Sequence, residues 1–409
     1  MSESPSRNGQ AKLSLPSGEK VGGGIPWKLK EAFASFGSSG PRLFFAPGRI
    51  NLIGAHLDYN GGSVLPVPIQ QGTYAAIALR KDHRIRLKSL DFAEEFDLDG
   101  KALPPASQLG WAAYPIGVWL EAREMGHPLM GFDLVLGGDL KRGSGLSSSA
   151  SLEVVMGLAL LECAEQCVDL EELAMLGFRA ENGFVGVKCG IMDQFASALG
   201  QSGKALYLNC ATREHRHVPL GEDLEILVLD THKPRELVGS EFNLRVEQCH
   251  EALAVLRVGT PEIGHLAAFS LEDVERARAE LGAVLFKRAR HVVTEVDRIE
   301  RAVGALERGD LEEFGSLVYA SHQSCRDDYE VSCPELDFLV EGVCQADGVL
   351  GARLTGAGFG GCLIALARPG AFGREEERRL AGAYDRAFGR PLTVQHLQLG
   401  AAPHELDLG

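Results

Sequence analysis

Gly143, Ser144, Gly145, Leu146, Ser147, Ser148, Ser149 and Ala150 form a glycine- and serine-rich run that passes straight into an apolar, helix-like segment. Glycines permit the positive backbone angles that turn successive N–H groups inward, and serine hydroxyls add donors. A helix starting near Ser149 would present the positive end of its dipole to an anion. The chemistry such a run offers is phosphate binding. No lysine follows its last glycine, so it lacks the Walker arrangement, and an ordinary N-cap at Ser149 would use the same residue types. Two further segments share the glycine-bearing character, residues 46–54 (APGRINLIG) and 354–362 (LTGAGFGGC).

Hydrophobic periodicity predicts the elements that carry these runs. Strand-like patterns cover 44–46, 73–79 and 132–136, with the stretch from Gly48 a turn-rich connection that puts Arg49 and Asp58 on a loop held by strands. Helical spacing covers 151–164 and 170–183, with Asp169 as N-cap of the second helix and Glu181 near its end. A strand at 224–229 precedes helices at 240–258, 288–309 and 311–324. Strands at 348–354 and 362–367 flank the third glycine segment, and a charged helix at 374–388 leads to a last strand at 392–399. The mixture is α+β in two halves. The residues GQSG at 200–203 punctuate the pattern, which places a boundary near Gly203.

With 409 residues, 45% hydrophobic and 24% charged, the chain can bury a large core and divides into about two domains. A net charge of −15 without a basic patch argues against nucleic acid or an anionic membrane as partner, so any phosphate must be met locally. There is no run of about eighteen apolar residues. Residues 1–27 read as a disordered arm whose polar start lacks the apolar core of a signal peptide. Nine cysteines, an odd number without metal-ligand spacing, read as reduced thiols of a cytoplasmic protein. Nothing in the sequence demands more than a monomer.

Longer runs carry a resemblance: GRINLIGAHLDYNGG from Gly48, GLSSSASLEV from Gly145, CGIMDQFAS from Cys189, RDDYEVSCPELD from Arg326 and TGAGFGGC from Thr355. In that order and spacing, across most of residues 28–409, the chain resembles the GHMP small-molecule kinases and, within them, the galactokinases. The resemblance implies a two-domain GHMP kinase fold with the active site in the cleft between domains. An N-terminal domain, 28–203, would carry the sugar and phosphate loops, and 204–409 would form the C-terminal domain. It implies transfer of phosphate from ATP, with Mg2+, to the anomeric hydroxyl of galactose or a close galactose-configured sugar. Such chemistry needs a cradle for the triphosphate, a cation to neutralise it, and a group that orients and deprotonates the hydroxyl.

Carried over residue by residue, the ATP-binding positions are Gly143, Ser144, Gly145, Leu146, Ser147, Ser148, Ser149, Gly356 and Gly358. Ser149 and Glu181 take the metal, a hydroxyl and one carboxylate suiting magnesium; an N-cap and a solvated helix-end charge are the plainer readings of the two. Asp193 is the catalytic carboxylate and Arg49 its partner at the transferred phosphoryl. A structural ion pair between two loops would bring the same two residues together.

Sugar recognition falls to Ala55, His56, Asp58, the Gly190 backbone and Phe242. Two of these depart from the family pattern. Galactokinases usually carry Gly-Glu-His where this chain has Gly54-Ala55-His56, and that glutamate contacts the hydroxyl on the sugar's sixth carbon. They also commonly have tyrosine in place of Phe242. Losing a carboxylate at 55 suits a sugar with its own carboxylate at the sixth carbon, and Gly-Ala-His also resembles plant galacturonate kinases, although those commonly have histidine where this chain keeps Tyr59. A galacturonate 1-kinase is therefore the alternative. A sugar- and ATP-binding sensor without activity typically has a damaged serine loop, and here the loop is intact. The adenine pocket is not fixed by short motifs in this family.

Overall fold

The computed structural model describes residues 24–38, 40–140, 145–233 and 238–407. A six-stranded sheet runs His404–Leu406, Arg42–Asn51, Pro66–Arg80, Gly131–Gly138, Arg84–Ser89, Phe96–Asp99, and only the pairing of Arg84–Ser89 with Gly131–Gly138 is parallel. Its three central strands contain the stretches anticipated at 44–46, 73–79 and 132–136. The expected turn-rich connection at Gly48 is instead part of the strand Arg42–Asn51, whose register with Pro66–Arg80 shifts between Pro47 and Arg49. Proline has no N–H for the ladder, so the strand bulges there rather than ending. Arg49 therefore sits on a sheet strand, not on a loop. At Gly48 a Cβ would lie 2.6 Å from the Leu140 side chain and 2.7 Å from the Leu146 carbonyl oxygen, so only glycine lets the serine-rich run cross this strand.

The helix Ser148–Cys163 packs over Arg42–Asn51 and Pro66–Arg80. It is apolar nearly all round, as a helix covered on every side must be, and Ala113–Glu124, Leu170–Arg179 and Met192–Leu199 pack against it. Asp169 caps Leu170–Arg179 as anticipated, accepting from the Glu172 N–H at 2.9 Å. That helix stops at Arg179. Ala180–Val185 continues it as a π-helical turn, so Glu181 lies in a widened turn rather than at the end of an α-helix reaching 183.

The second half is built on a four-stranded antiparallel sheet in the order Val349–Leu354, Cys362–Ala367, Glu225–Asp230, Thr393–His396. Helix Leu311–Asp327 packs on its first strand, and Arg278–Arg308 lies between that helix and Val238–Leu256. A small sheet of Ser63–Val64, Lys204–Asn209 and His215–Pro219 links the halves. The chain ends by returning to the first sheet, where His404–Leu406 pairs with Arg42–Asn51. At the other end, order begins before residue 28: Pro26 starts the helix Ile25–Ala34, whose Leu29 and Phe33 pack with Leu43, Phe45, Ala76 and Val135. Residues 1–23 lie outside the described residues. No helix among the described residues is long and apolar enough to cross a membrane.

Candidate active site

A cavity of about 640 Å³ opens between the two halves. From the first half come Arg49, Ala55, His56, Asp58, Gly190 and Asp193, and from the second Phe242, Arg353 and Gly356.

At one end Arg49, nearly buried, grips the Asp193 carboxylate with two N–H donors, Nε at 2.8 Å and Nη2 at 2.6 Å. Its third nitrogen donates to the Gly145 carbonyl at 2.7 Å, and its backbone N–H donates to Leu146 at 3.2 Å. The first and second glycine segments are thus tied through one guanidinium. Ser147 Oγ donates to Asp193 at 2.5 Å. Ser147 stands at the N-cap position with a left-handed φ of 59° and makes no capping hydrogen bond; its hydroxyl serves the aspartate instead. His56, with φ of 58°, is strained alike. Such angles cost of order 1–3 kcal/mol in a non-glycine residue and persist where the surroundings over-determine them.

Ser149 lies inside the first turn of its helix rather than at its cap, with its hydroxyl near enough to Glu181 to favour the ionised carboxylate, and Glu181 is not a solvated charge. Glu181 is buried. It also accepts from Gln194 Nε2 at 2.7 Å and from Cys189 Sγ at 3.3 Å. Gln194 reaches Glu153 Oε2 at 2.9 Å as well, bridging two carboxyl groups. Burial, with the Asp193 charge adding, raises the Glu181 pKa, and burial beside Glu181 raises that of Glu153 well above its usual range. A pocket with one hydroxyl and two carboxyls, and no cation among the hydrogen-bond partners of either within the described residues, has the oxygen donors that a hard cation takes.

Ser148 and Ser149 also line a second cavity, of about 490 Å³, whose wall includes Trp111, Phe92, Tyr114 and Leu136. The Phe92 and Trp111 rings lie 5.7 Å apart and nearly parallel, a flat aromatic surface beside the serine run. Gly143 and Ser144 lie outside the described residues. Of the third segment, Gly356 lines the first cavity, whereas Gly358 (φ 86°) stands against the Val331 backbone and lines neither.

At the far end of the first cavity the Ala55 backbone is fixed from behind. Glu295 Oε1 accepts from the N–H groups of Gly54 and Ala55, both at 3.0 Å, and His291 Nε2 meets the Ala55 carbonyl at 3.1 Å. Burial opposes the Glu295 charge, but Arg298, His291 and Arg353 hold its pKa at about 2. His56 Nδ1 bonds Tyr59 Oη at 2.9 Å, and Tyr59 bonds Tyr329 at 2.7 Å. His56 Nε2 is buried without a partner, and burial, then the charges of His291 and Arg353, lowers its pKa so that it is neutral at pH 7. Asp58 is half-buried; desolvation, then the Asp193 charge, raises its pKa to about 6 against the pull of Arg49. A Cβ on Gly190 would sit 2.3 Å from Asp58 Oδ2, so only glycine fits over that carboxylate. Phe242 packs on Tyr59, ring centres 5.4 Å apart.

Family models for the galactokinase galactose-binding signature, the GHMP kinases N terminal domain and the GHMP kinases C terminal match residues 31–79, 113–201 and 302–386. A galactokinase of Exiguobacterium sibiricum is 41% identical over 377 residues, covering 91% of this chain and 96% of that one. The chain belongs to the galactokinase family. A second galactokinase, from Bacillus subtilis, is 41% identical over 355 residues, or 83% of this chain and 89% of its own. Among solved structures, Lactococcus lactis galactokinase complexed with galactose superposes with a TM-score of 0.84 at 39% identity, covering 91% of this chain and 98% of that one. Methanococcus jannaschii mevalonate kinase, 18% identical with a TM-score of 0.62, shares the GHMP kinase fold. The fold is the expected α+β GHMP kinase architecture, and the protein is a phosphotransferase of galactokinase type.

For a galactokinase, sequence reasoning left out several residues of this site. Trp111 and Phe92 sit in segments without motif character, and only folding sets them beside the serine run; Glu153 and Gln194 lie within the runs from Gly145 and Cys189, but no local pattern shows that their side chains meet. Arg353 left a visible signal: a single charge inside the strand Val349–Leu354, immediately before the third glycine segment.

Proposed function

We propose that this protein transfers the γ-phosphoryl group of ATP to the anomeric hydroxyl of galactose or a close galactose-configured sugar, giving the sugar 1-phosphate. The observation that carries this reading is the Arg49–Asp193–Ser147 cluster, set where the sugar-sized cavity meets the serine-rich run. Asp193 accepts the proton of the attacking hydroxyl and Arg49 holds its carboxylate aimed. Positioning and electrostatics supply most of phosphoryl-transfer catalysis, so a strong base is not required. Arg49 also stands ready to offset charge on the transferred group.

The nucleotide enters through the second cavity, adenine against the Phe92–Trp111 surface and phosphates over residues 143–149, where helix Ser148–Cys163 begins. Ser149 and Glu181 would hold Mg2+, which would neutralise the phosphates. His56 Nε2 and Asp58 bind ring hydroxyls, with the Gly190 backbone closing over them and Phe242 walling the pocket. We take Gly203 as the boundary between the two domains. The cytoplasm, where nine free thiols stay reduced, is the compartment this reading places it in.

The test is ADP release with magnesium-ATP over galactose, galacturonate, arabinose, fucose and N-acetylgalactosamine, with the product identified by phosphorus NMR. Phosphate on the anomeric oxygen supports the reading. Absence of turnover with every sugar would return the protein to a binding role, and phosphate on another oxygen would overturn the placement of Asp193.

A further inference from the structure

Arg353 is the most unusual charge in the molecule. It is 1% exposed, on the first strand of the second sheet, and it lines the same cavity as Ala55 and His56. Its Nε and Nη1 have no hydrogen-bond partner among the described residues. A guanidinium does not give up its proton, and a buried cation is retained only where something pairs with it. The acid whose charge it feels, Glu295, is already committed: Oε1 takes Gly54 N, Ala55 N and Ser321 Oγ, and Oε2 takes Arg298 Nε at 2.7 Å. Glu295 therefore steadies Arg353 electrostatically without filling its donors. Ala55, which lines the same cavity, has a methyl group that offers no acceptor at all.

The arrangement also says which end of a sugar would meet this cation. Arg353 acts on His56 and on Glu295, the carboxylate behind Ala55, whereas the cation acting on Asp58 and paired with Asp193 is Arg49. With the anomeric hydroxyl at Asp193, the Arg353 end is left for the substituent on the sixth carbon. His56 adds to it. When Tyr59 donates to Nδ1, the proton stays on Nε2, and this second buried, unpartnered donor lines the same cavity.

We propose that Arg353 is a specificity residue that binds the sixth-carbon substituent of the sugar, and that the substituent it fits is a carboxylate, so that the enzyme phosphorylates galacturonate. This rests on the reading that a galactose-configured sugar occupies the cavity with its anomeric hydroxyl at Asp193. A hydroxyl could accept from Arg353 but would leave its charge uncompensated. A carboxylate supplies both acceptor oxygens and the missing negative charge. An alanine at 55 is what admits it, since an acid there would oppose the uronate as a like charge.

The experiment compares kcat/KM for galacturonate and galactose with magnesium-ATP in the wild type, Arg353→Gln and Ala55→Glu. Galacturonate should be phosphorylated with a kcat/KM at least equal to that of galactose. Arg353→Gln should lower the galacturonate value on the order of ten- to a hundred-fold and that of galactose far less, as loss of a charge-assisted hydrogen bond dictates. Ala55→Glu, at a site where only a methyl group now stands, should shift the ratio toward galactose by a similar factor. Because Arg353→Gln can fail to fold, its melting temperature is measured alongside, and the wild-type ratio and Ala55→Glu carry the test if it does. Turnover of galactose with neither turnover nor calorimetric binding of galacturonate overturns this inference alone. So does an unchanged ratio in a folded Arg353→Gln. Loss of turnover with every sugar overturns the kinase reading and this one together.

Discussion

The two ends of the central cavity are finished in opposite ways. Around Asp193 the donors are spent inside the protein: Arg49 on Asp193 and Gly145, Ser147 on Asp193, Gln194 on two carboxyls. Around Ala55, donors that would normally be satisfied stand open, at His56 Nε2 and at Arg353 Nε and Nη1. Reaction machinery must hold one geometry before the substrate arrives, so its groups are locked by each other. A recognition pocket draws its specificity from buried groups that only the right ligand completes. Among the described residues, donors spent at one end and donors left open at the other are what separates the two parts of the cavity, although Glu153 Oε1 and Gln194 Oε1 remain open acceptors beside the first.

That contrast can be broken first at Asp193. Asp193→Asn keeps the shape and removes the charge, so turnover should fall about 10²–10⁴-fold while calorimetric ATP affinity stays near wild type. Near-normal turnover would make the Arg49–Asp193 pair a structural strut. Next comes the metal corner, where Glu181→Gln and Ser149→Ala should each raise the magnesium concentration needed for half-maximal rate by about 10–100-fold, read by magnesium titration at fixed ATP. An unchanged titration in the folded variants would remove both from the cation. At the aromatic surface, Trp111→Ala should raise the KM for ATP about tenfold with little effect on the sugar KM, because base stacking is worth about 1–3 kcal/mol. Equal effects on both substrates would locate adenine elsewhere.

The smallest effect is with pH. Asp58 binds its proton more tightly in the folded chain than in the unfolded one, its pKa being raised to about 6, so its contribution to stability is lost as pH rises toward 6. Sugar binding runs the other way, since the ionised form is the better acceptor. The sugar KM should rise about fivefold as pH falls through 6, and Asp58→Asn should flatten that dependence. A profile unaffected by Asp58→Asn would mean that the carboxylate does not touch the sugar.

Much of this was legible beforehand in particular residues. Alternating apolar positions around Phe44, Thr73 and Phe132 marked the central strands, and Asp169 marked a helix start that its hydrogen bond to Glu172 bears out. The run from Gly48 was misread as a connection because Pro47 and Gly48 are turn residues locally. The long pairing with Pro66–Arg80, a non-local force, carries the strand through them with a bulge. Glu181 was expected at a helix end, and the π-helical turn that aims it at Ser149 has no periodic signature. Arg353 showed as a lone charge in an apolar strand, but no local pattern could say that its guanidinium would go unpaired.

By itself the sequence determined the galactokinase-type phosphotransferase, through the glycine- and serine-rich runs and the longer stretches that carry Arg49 and Asp193. It also determined that position 55 carries a methyl group and no acceptor. Only the tertiary structure decided what that methyl group faces. Residue 353 reaches the same cavity as residue 55 although the two lie on strands and loops of different halves of the chain. Whether a buried charge finds a partner depends on every group brought within hydrogen-bonding reach, a property of the packed molecule that no stretch of sequence contains.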